Sequence, residues 1–205
     1  MFFGVTFHID NGIAYLTIAS PPKNAMGNDF FIALAQLRVE VFPGLVAHGV
    51  RGMIVSGKGR HFSCGADLWE LKDALAHSNR QKGISGLLDN SSSFSAIADL
   101  PFPVVAAISG CCLGSGLELA LACHFRIAAK NAVLGLPETT FGLIPGCGGT
   151  VRLTKLIGHQ KALKIILSGS SMLADEAKKE GVVDSVVEKR DLMASAIRHI
   201  EEYAS

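Results

Sequence analysis

The stretch from Val104 to Gly149 reads VVAAISGCCLGSGLELALACHFRIAAKNAVLGLPETTFGLIPGCGG, and its order of apolar and glycine-rich segments decides the fold class. Val104–Ile108 is a continuous apolar run, which is typical of a buried strand. A glycine-rich turn over Gly110–Gly116 leads into a predicted helix over Ser115–Cys123, and a second apolar strand follows over Phe125–Ala129. Because strands and helices alternate, we predict an α/β fold with mostly parallel sheets covered on both faces.

The remainder of the chain continues this alternation of short apolar runs and amphipathic segments. We predict one core domain over residues 1–190 and a terminal helix over residues 191–205, a remnant of a C-terminal lid and oligomerisation region. The predicted strands are Ile13–Ile18, Gly52–Val55, Ala132–Leu136 and Val182–Val187. The predicted helices are Asn28–Val41 with Asn28 as its cap, one beginning at Leu68, one over Phe94–Leu100, Val151–Ile157, Gln160–Ser168, Ala174–Glu180 and Asp191–Tyr203. A flexible loop is predicted over residues 78–93.

Composition excludes several functional classes. The chain has 205 residues, 49% of them apolar and 18% charged, which indicates a packed globular protein. A net charge of +1 with no basic run argues against a nucleic-acid partner. The uncharged stretch from Leu100 to Leu117 approaches membrane-spanning length, but two prolines and three glycines interrupt it, so no membrane segment is predicted.

The N-terminus shows no secretory signal, and the cysteines indicate a reducing compartment. Five cysteines are present, an odd number without a C-x-x-C pair, which fits neither a disulfide framework nor a zinc site. We therefore expect free thiols, a cytoplasmic location and no metal. Cys64 and Cys147 lie beside glycines and could be nucleophiles, although small buried residues are the more ordinary interpretation.

Two glutamates stand out as candidate catalytic groups. Glu118 lies in the first turn of the predicted helix and Glu138 lies between Pro137 and a second glycine-rich turn. Alone, Glu118 could be a helix-dipole partner and Glu138 a turn residue. Together, in apolar surroundings that raise the pKa of a carboxyl group, they indicate general acid/base chemistry near neutral pH. Backbone N–H groups from two glycine turns could bind a developing oxyanion.

Four segments resemble the crotonase (enoyl-CoA hydratase/isomerase) family, and the resemblance extends over residues 5–203. These segments are PPKNAMGNDFF (21–31), HFSCGADL (61–68), ISGCCLGSGLELALAC (108–123) and PETTFGLIPGCGGTVRL (137–153). The resemblance implies a spiral of ββα units and homo-oligomers that are trimers or hexamers. It implies an acyl-CoA thioester substrate and no separate cofactor, because coenzyme A is part of the substrate.

The resemblance also implies a role for individual residues. Glu118 matches the acid that activates water for attack at C3, and Glu138 matches the one that delivers a proton to C2. The N–H groups of Cys64 and Ser115 match the donors of a thioester oxyanion hole. The residues matching those that contact the substrate and its coenzyme A are Lys23, Asn24, Ala25, Met26, Cys64, Gly65, Ala66, Asp67, Leu68 and Gly114.

Enoyl-CoA hydration is the function that the resemblance favours, because isomerases of the family often keep only one of the two acids. The alternatives are an isomerase, hydrolase or lyase of the same family and an acyl-CoA-binding paralogue without catalysis. Ser115 stands where many members have glycine, which adds a hydroxyl group near the thioester. The chain stops at Ser205, so we expect a C-terminal lid that is missing, shortened or supplied by a neighbouring subunit.

Overall fold

Nine strands form two sheets in the part of the chain that the computed structural model describes, residues 3–77 and 90–203. The large sheet has the order β1-β2-β3-β4-β6-β9, and all its neighbours are parallel except β1 and β2. The small sheet has the order β5-β7-β8. The strands are β1 (Val5–Asp10), β2 (Ile13–Ile18), β3 (Gly52–Gly57), β4 (Val104–Ile108), β5 (Cys111–Leu113), β6 (Phe125–Ala129), β7 (Val133–Gly135), β8 (Ser171–Leu173) and β9 (Ser185–Val187).

Four strands of the large sheet, β2, β3, β4 and β6, each lead into a shorter extended segment in the neighbouring layer. After β4 comes β5, which is parallel to β7, the strand that follows β6. Before them, Ser63 forms a parallel bridge with Cys112, and Met26 forms one with Ala66. The same path is therefore repeated four times along the chain, from the large sheet into the small layer. This repetition is the spiral of strand pairs that the sequence resemblance implies.

Helices cover these layers, and the turns that lead into them border the candidate site. The α-helices are α1 (Asn28–Gln36), α2 (Leu68–His77), α3 (residues 90–98), α4 (Ser115–Ala122), α5 (Gly149–Ile157), α6 (His159–Ser168), α7 (Ala174–Glu180) and α8 (Leu192–Tyr203). A 3-10 helix spans Pro137–Phe141. Within the described residues, none of these helices is both long and apolar enough to cross a membrane.

The core lies on both faces of the large sheet. One cluster packs under α1, α3 and α4 and includes Leu16, Phe30, Phe94 and Leu117, all fully buried. The opposite face packs against α8 through Leu192, Ala196 and Ile200. Gly52 makes the second contact possible, because a Cβ at this position would overlap Ile200 Cγ2. The α/β prediction is therefore confirmed, while the division at residue 190 stays a prediction.

The structure corrects several predicted elements. The predicted turn over Gly110–Gly116 contains strand β5, and positive φ values at Gly110 (58°) and Gly114 (52°) mark its two ends. The helix predicted to end at Val41 is α-helical only to Gln36 and then continues as a π-helical turn, and its N-cap is Gly27 rather than Asn28. Of the loop predicted over residues 78–93, residues 90–93 are helical and the remainder lies outside the described residues.

Candidate active site

Glu118 is buried in α4, with only 2% of its surface exposed, and its carboxylate is held by the turn before α5. Its Oε1 accepts the N–H groups of Cys147 and Gly149, each at 2.8 Å. Burial raises the pKa of Glu118, while these two hydrogen bonds and the charge of Arg152 oppose that rise. The carboxylate therefore contacts the N-terminus of α5. A simple helix-dipole partner would instead lie at the N-terminus of its own helix, α4.

Glu138 is half-buried on the 3-10 helix, with one oxygen left without a partner. Its Oε2 is buried and accepts no hydrogen bond from the described residues. Burial, and secondarily the negative charge of Glu118, raises the pKa of Glu138 from 4.5 to about 7. Such a carboxyl group is present in both protonation states near neutral pH, which is the property that proton transfer requires.

Two glycines bring the backbone against these carboxylates. A Cβ on Gly114 would lie 3.2 Å from Glu138 Oε1, and one on Gly149 would lie 2.8 Å from Glu118 Cγ. Gly114 also has a φ of 52°, which L-residues with side chains rarely adopt. These two glycines therefore let the backbone approach each acid more closely than a residue with a Cβ would allow.

The segments predicted to contact coenzyme A lie side by side. Met26 N–H donates to Gly65 O at 2.9 Å, and Asp67 N–H donates to Met26 O at 3.1 Å. The Asn24 side chain is fully buried and donates to the carbonyls of Lys58 and His61 at 2.9 and 2.7 Å. The turn from Lys23 to Met26 is thus tied to the loop that contains Cys64–Leu68, and the structure brings the two predicted segments together.

Asp67, one of these predicted contact residues, and Ser63 each have structural partners of their own. The Asp67 carboxylate accepts the N–H groups of Trp69 and Glu70, at 2.9 and 3.2 Å, and so caps α2. Ser63, which the sequence interpretation did not single out, donates its hydroxyl to Asn24 O at 2.7 Å and accepts Gly65 N–H at 3.1 Å. A buried serine that joins both segments had no signature in the sequence.

The two predicted oxyanion donors differ in their surroundings. Ser115 is the first residue of α4, so no carbonyl of its own helix can accept its N–H. Cys64 N–H donates to Lys23 O at 2.9 Å, so this group is engaged within the protein. The Ser115 hydroxyl is buried and has no hydrogen-bond partner among the described residues.

Arg152 is a site residue that the sequence interpretation missed. Its guanidinium donates to Cys147 O at 2.6 Å and to Ser95 Oγ at 2.9 Å, which fixes the turn whose N–H groups bind Glu118. Cys147 itself is 5% exposed, and burial raises the pKa of its thiol to about 12. A thiol that stays protonated is a poor nucleophile, so the structure favours the interpretation of Cys147 as a small buried residue.

Comparison with known proteins identifies the family. Residues 8–205 match the family model described as enoyl-CoA hydratase/isomerase. A fatty acid oxidation complex subunit alpha of Shewanella loihica is 41% identical over 194 residues, which is 92% of this chain and 27% of that protein. A Bacillus subtilis protein named probable enoyl-CoA hydratase is 38% identical over 200 residues, 93% of this chain and 74% of its own. The chain therefore spans about a quarter of the first relative and about three quarters of the second.

Solved structures agree with the sequence comparison. An enoyl-CoA hydratase from Bacillus anthracis is 34% identical and superimposes with a TM-score of 0.86, covering 97% of this chain and 76% of that one. An enoyl-CoA hydratase from Thermoplasma volcanium is 32% identical with a TM-score of 0.85, covering 97% and 76%. The crotonase-like fold that the sequence resemblance implied is confirmed. The chain belongs to the enoyl-CoA hydratase/isomerase family.

Proposed function

We propose that this chain hydrates a trans-2-enoyl-CoA to give a 3-hydroxyacyl-CoA. The observation that supports it most directly is a pair of carboxyl groups with different hydrogen-bond partners. Burial raises the pKa of both, but Glu118 receives two backbone N–H donors that oppose this rise and favour its ionised form. The buried Oε2 of Glu138 receives no donor from the described part of the chain, and the pKa of Glu138 is raised to about 7. Hydration needs one group that accepts a proton and one that donates it, and these surroundings separate the two tasks.

In this proposal Glu118 is the general base. Its Oε1 is occupied by Cys147 and Gly149 N–H, which leaves Oε2 to bind and orient a water molecule. As that water attacks C3 of the enoyl group, Glu118 takes one of its protons. A positioned base of this kind typically contributes about 10²–10⁴-fold to the rate.

Glu138 is the general acid for the same addition. Attack at C3 moves negative charge through C2 onto the thioester oxygen, and C2 then takes a proton from Glu138. The rise of its pKa to about 7 supports this role, because a carboxyl group with an ordinary pKa of 4.5 would be almost fully ionised at neutral pH.

The developing oxyanion binds to the N–H groups of Ser115 and Cys64. Ser115 N–H has no acceptor in its own helix, which supports its assignment. Cys64 N–H donates to Lys23 O in the described structure, so the proposal requires this N–H to turn from Lys23 to the thioester oxygen. Each such donor is typically worth about 3 kcal/mol of transition-state stabilisation. Coenzyme A binds along Lys23–Met26 and Cys64–Leu68.

Hydration of an enoyl-CoA panel that begins with crotonyl-CoA tests the proposal. In ¹⁸O-labelled water, hydration places the label at C3, whereas isomerisation moves the double bond without incorporating oxygen. Glu118→Gln and Glu138→Gln should each lower kcat by about 10²–10⁴-fold with thioester binding retained. Thioester binding without turnover of any substrate would instead favour a non-catalytic acyl-CoA-binding protein.

The cellular setting is proposed along with the reaction. All five cysteines are free, which supports a reducing, cytoplasmic location. The name of the Shewanella relative supports a role in fatty acid oxidation.

A homo-oligomer, either a trimer or a hexamer, is supported by exposed apolar residues near the site. These are Phe141 and Ile144, which follow Glu138 in the chain, and Val151 on α5. Light scattering on the eluting protein measures the number of chains directly.

A further inference from the structure

Three side chains with metal-ligand chemistry meet beside the loop that contains Cys64. His61 and Cys64 come from the turn before α2, and Cys111 is the first residue of β5. One ligand atom from each, a ring nitrogen or a sulfur, lies within 4.8 Å of the other two. All three residues are partly exposed, so an ion from solution can reach them. The fifty-residue separation of His61 and Cys111 hides this cluster from motif analysis.

The backbone around the cluster fixes the positions of its members. Cys111 N–H donates to His61 Nδ1 at 3.0 Å, and Ser63 N–H donates to Cys111 O at 3.0 Å. Gly110 leaves room for the imidazole, because a Cβ there would lie 2.6 Å from His61 Nδ1. The imidazole ring therefore lies against the strand that carries Cys111 before any ligand binds.

The donor set favours a thiophilic divalent cation. Two cysteine sulfurs and an imidazole nitrogen suit Zn²⁺, whereas Mg²⁺ and Ca²⁺ prefer oxygen ligands. With Zn–S near 2.3 Å and Zn–N near 2.0 Å, tetrahedral geometry separates the ligand atoms by roughly 3.5–3.8 Å. The observed upper limit of 4.8 Å requires only a small contraction. Three protein ligands leave a fourth position open to water.

A disulfide between the two cysteines fits less well than a bridging ion. Ser63 pairs with Cys112, so Cys64 and Cys111 lie on opposite sides of that pair along the strands. At strand spacing this separates their Cα atoms by about 8 Å, beyond the ~7 Å that a disulfide spans without backbone movement. A metal ion between the sulfurs accommodates the longer distance.

We propose that His61, Cys64 and Cys111 form a binding site for Zn²⁺, and that occupancy of this site inhibits the hydration reaction proposed above. Binding displaces the two thiol protons to the buffer, so two thiolates balance the charge of the ion. His61 exchanges its hydrogen bond with Cys111 N–H for the metal bond. The ion then ties Cys64 to β5, and Cys64 N–H is held away from the thioester oxygen. The inhibitory part rests on the proposed function, whereas the binding part does not.

Metal binding is measured on the reduced, chelator-treated protein without any substrate. Equilibrium dialysis against Zn²⁺ should give one ion per chain with a micromolar or lower Kd, and Co²⁺ should give the thiolate-to-cobalt charge-transfer band. Cys111→Ser and Cys64→Ala should each weaken binding at least ~100-fold, and either one suffices if the other does not fold. Cys123→Ala, which removes a buried thiol elsewhere, should bind as the wild type does. The site is overturned if the wild type does not bind Zn²⁺. It is also overturned if both ligand variants bind Zn²⁺ as tightly as the wild type does.

Inhibition is measured separately, with crotonyl-CoA as the substrate. Micromolar Zn²⁺ should inhibit wild-type hydration at least about tenfold, and a chelator should restore it. Cys111→Ser should keep its hydration rate in the presence of Zn²⁺, because Cys111 is outside the proposed catalytic and binding residues. Binding without inhibition of an active enzyme refutes the inhibitory role. Binding by a protein without hydratase activity leaves the site standing and refutes the proposed function instead.

Discussion

Replacing Glu138 by glutamine should make the protein more stable at pH 8, although it removes a proposed catalytic acid. Glu138 is half-buried, its Oε2 has no hydrogen-bond partner among the described residues, and its pKa is raised from 4.5 to about 7. Burial is the main cause of that rise and the charge of Glu118 is secondary. An ionised Glu138 therefore opposes folding, and a neutral amide of nearly the same shape does not.

The sign and size of the effect follow from proton linkage. Since the folded pKa lies above the unfolded one, protonated Glu138 contributes stability that is present below pH 4.5 and is lost as the pH rises through about 7. At ~1.4 kcal/mol per pKa unit the full loss would be ~3 kcal/mol. Contact with solvent screens part of it, so we expect Glu138→Gln to be more stable than the wild type by about 1–2 kcal/mol at pH 8. At pH 5 this difference in the free energy of unfolding between Glu138→Gln and the wild type should be smaller by about 1 kcal/mol.

Urea unfolding at pH 5 and pH 8, followed by circular dichroism, measures this gap. Wild type and Glu138→Gln are compared with Glu176→Gln, which changes an exposed glutamate on α7. The control should show the same difference from wild type at both pH values. If Glu138→Gln is no more stable than wild type at pH 8, or if the gap does not depend on pH, then burial does not raise the pKa of Glu138 as argued.

Three further substitutions test the contacts that position the site and the core. Gly149→Ala places a Cβ 2.8 Å from Glu118 Cγ, so kcat for hydration should fall about tenfold or more with KM nearly unchanged; an unaltered kcat in steady-state assays would contradict this. Cys147→Ser keeps the N–H that binds Glu118 and should retain most activity, whereas complete inactivity would indicate a nucleophilic thiol. Gly52→Ala overlaps Ile200 and should lower the free energy of unfolding by ~1–3 kcal/mol, with partial recovery in Gly52→Ala/Ile200→Ala by urea titration.

Of the strands that sequence reasoning located, β2, β3, β4 and β6 are mostly buried. β4 is buried at all five positions, so its residues form an uninterrupted apolar run. β1 was missed because it is an edge strand with mostly exposed residues and the sequence VTFHID, which lacks such a run. β7 and β9 are equally short, but each lies within a longer predicted strand, Ala132–Leu136 or Val182–Val187. β5 and β8 have three residues each and lie in no such segment, so no periodicity reveals them. They exist because neighbouring chain segments supply their hydrogen bonds.

In the candidate site, sequence reasoning located the carboxyl side chains but not the backbone groups that bind them. Glu118 and Glu138 were found because carboxyl groups in apolar, glycine-rich sequence are unusual. The N–H groups that bind Glu118 come from residues 29 and 31 positions later, and a backbone donor leaves no mark on residue identity. Arg152 was missed for a related reason, since its main acceptor near the site is the Cys147 carbonyl.

The difference between the two glutamates therefore originates in turn conformation. Gly148 has a φ of 96° and immediately precedes α5, so the N–H groups on either side of it converge on one oxygen of Glu118. Gly142, with a φ of 72°, ends the 3-10 helix that contains Glu138, and no donor among the described residues reaches Glu138 Oε2. Residues with a Cβ rarely adopt either conformation. The turn around Gly148 thus supplies two N–H donors to Glu118, and in the proposed mechanism this difference favours Glu118 as the base and Glu138 as the acid.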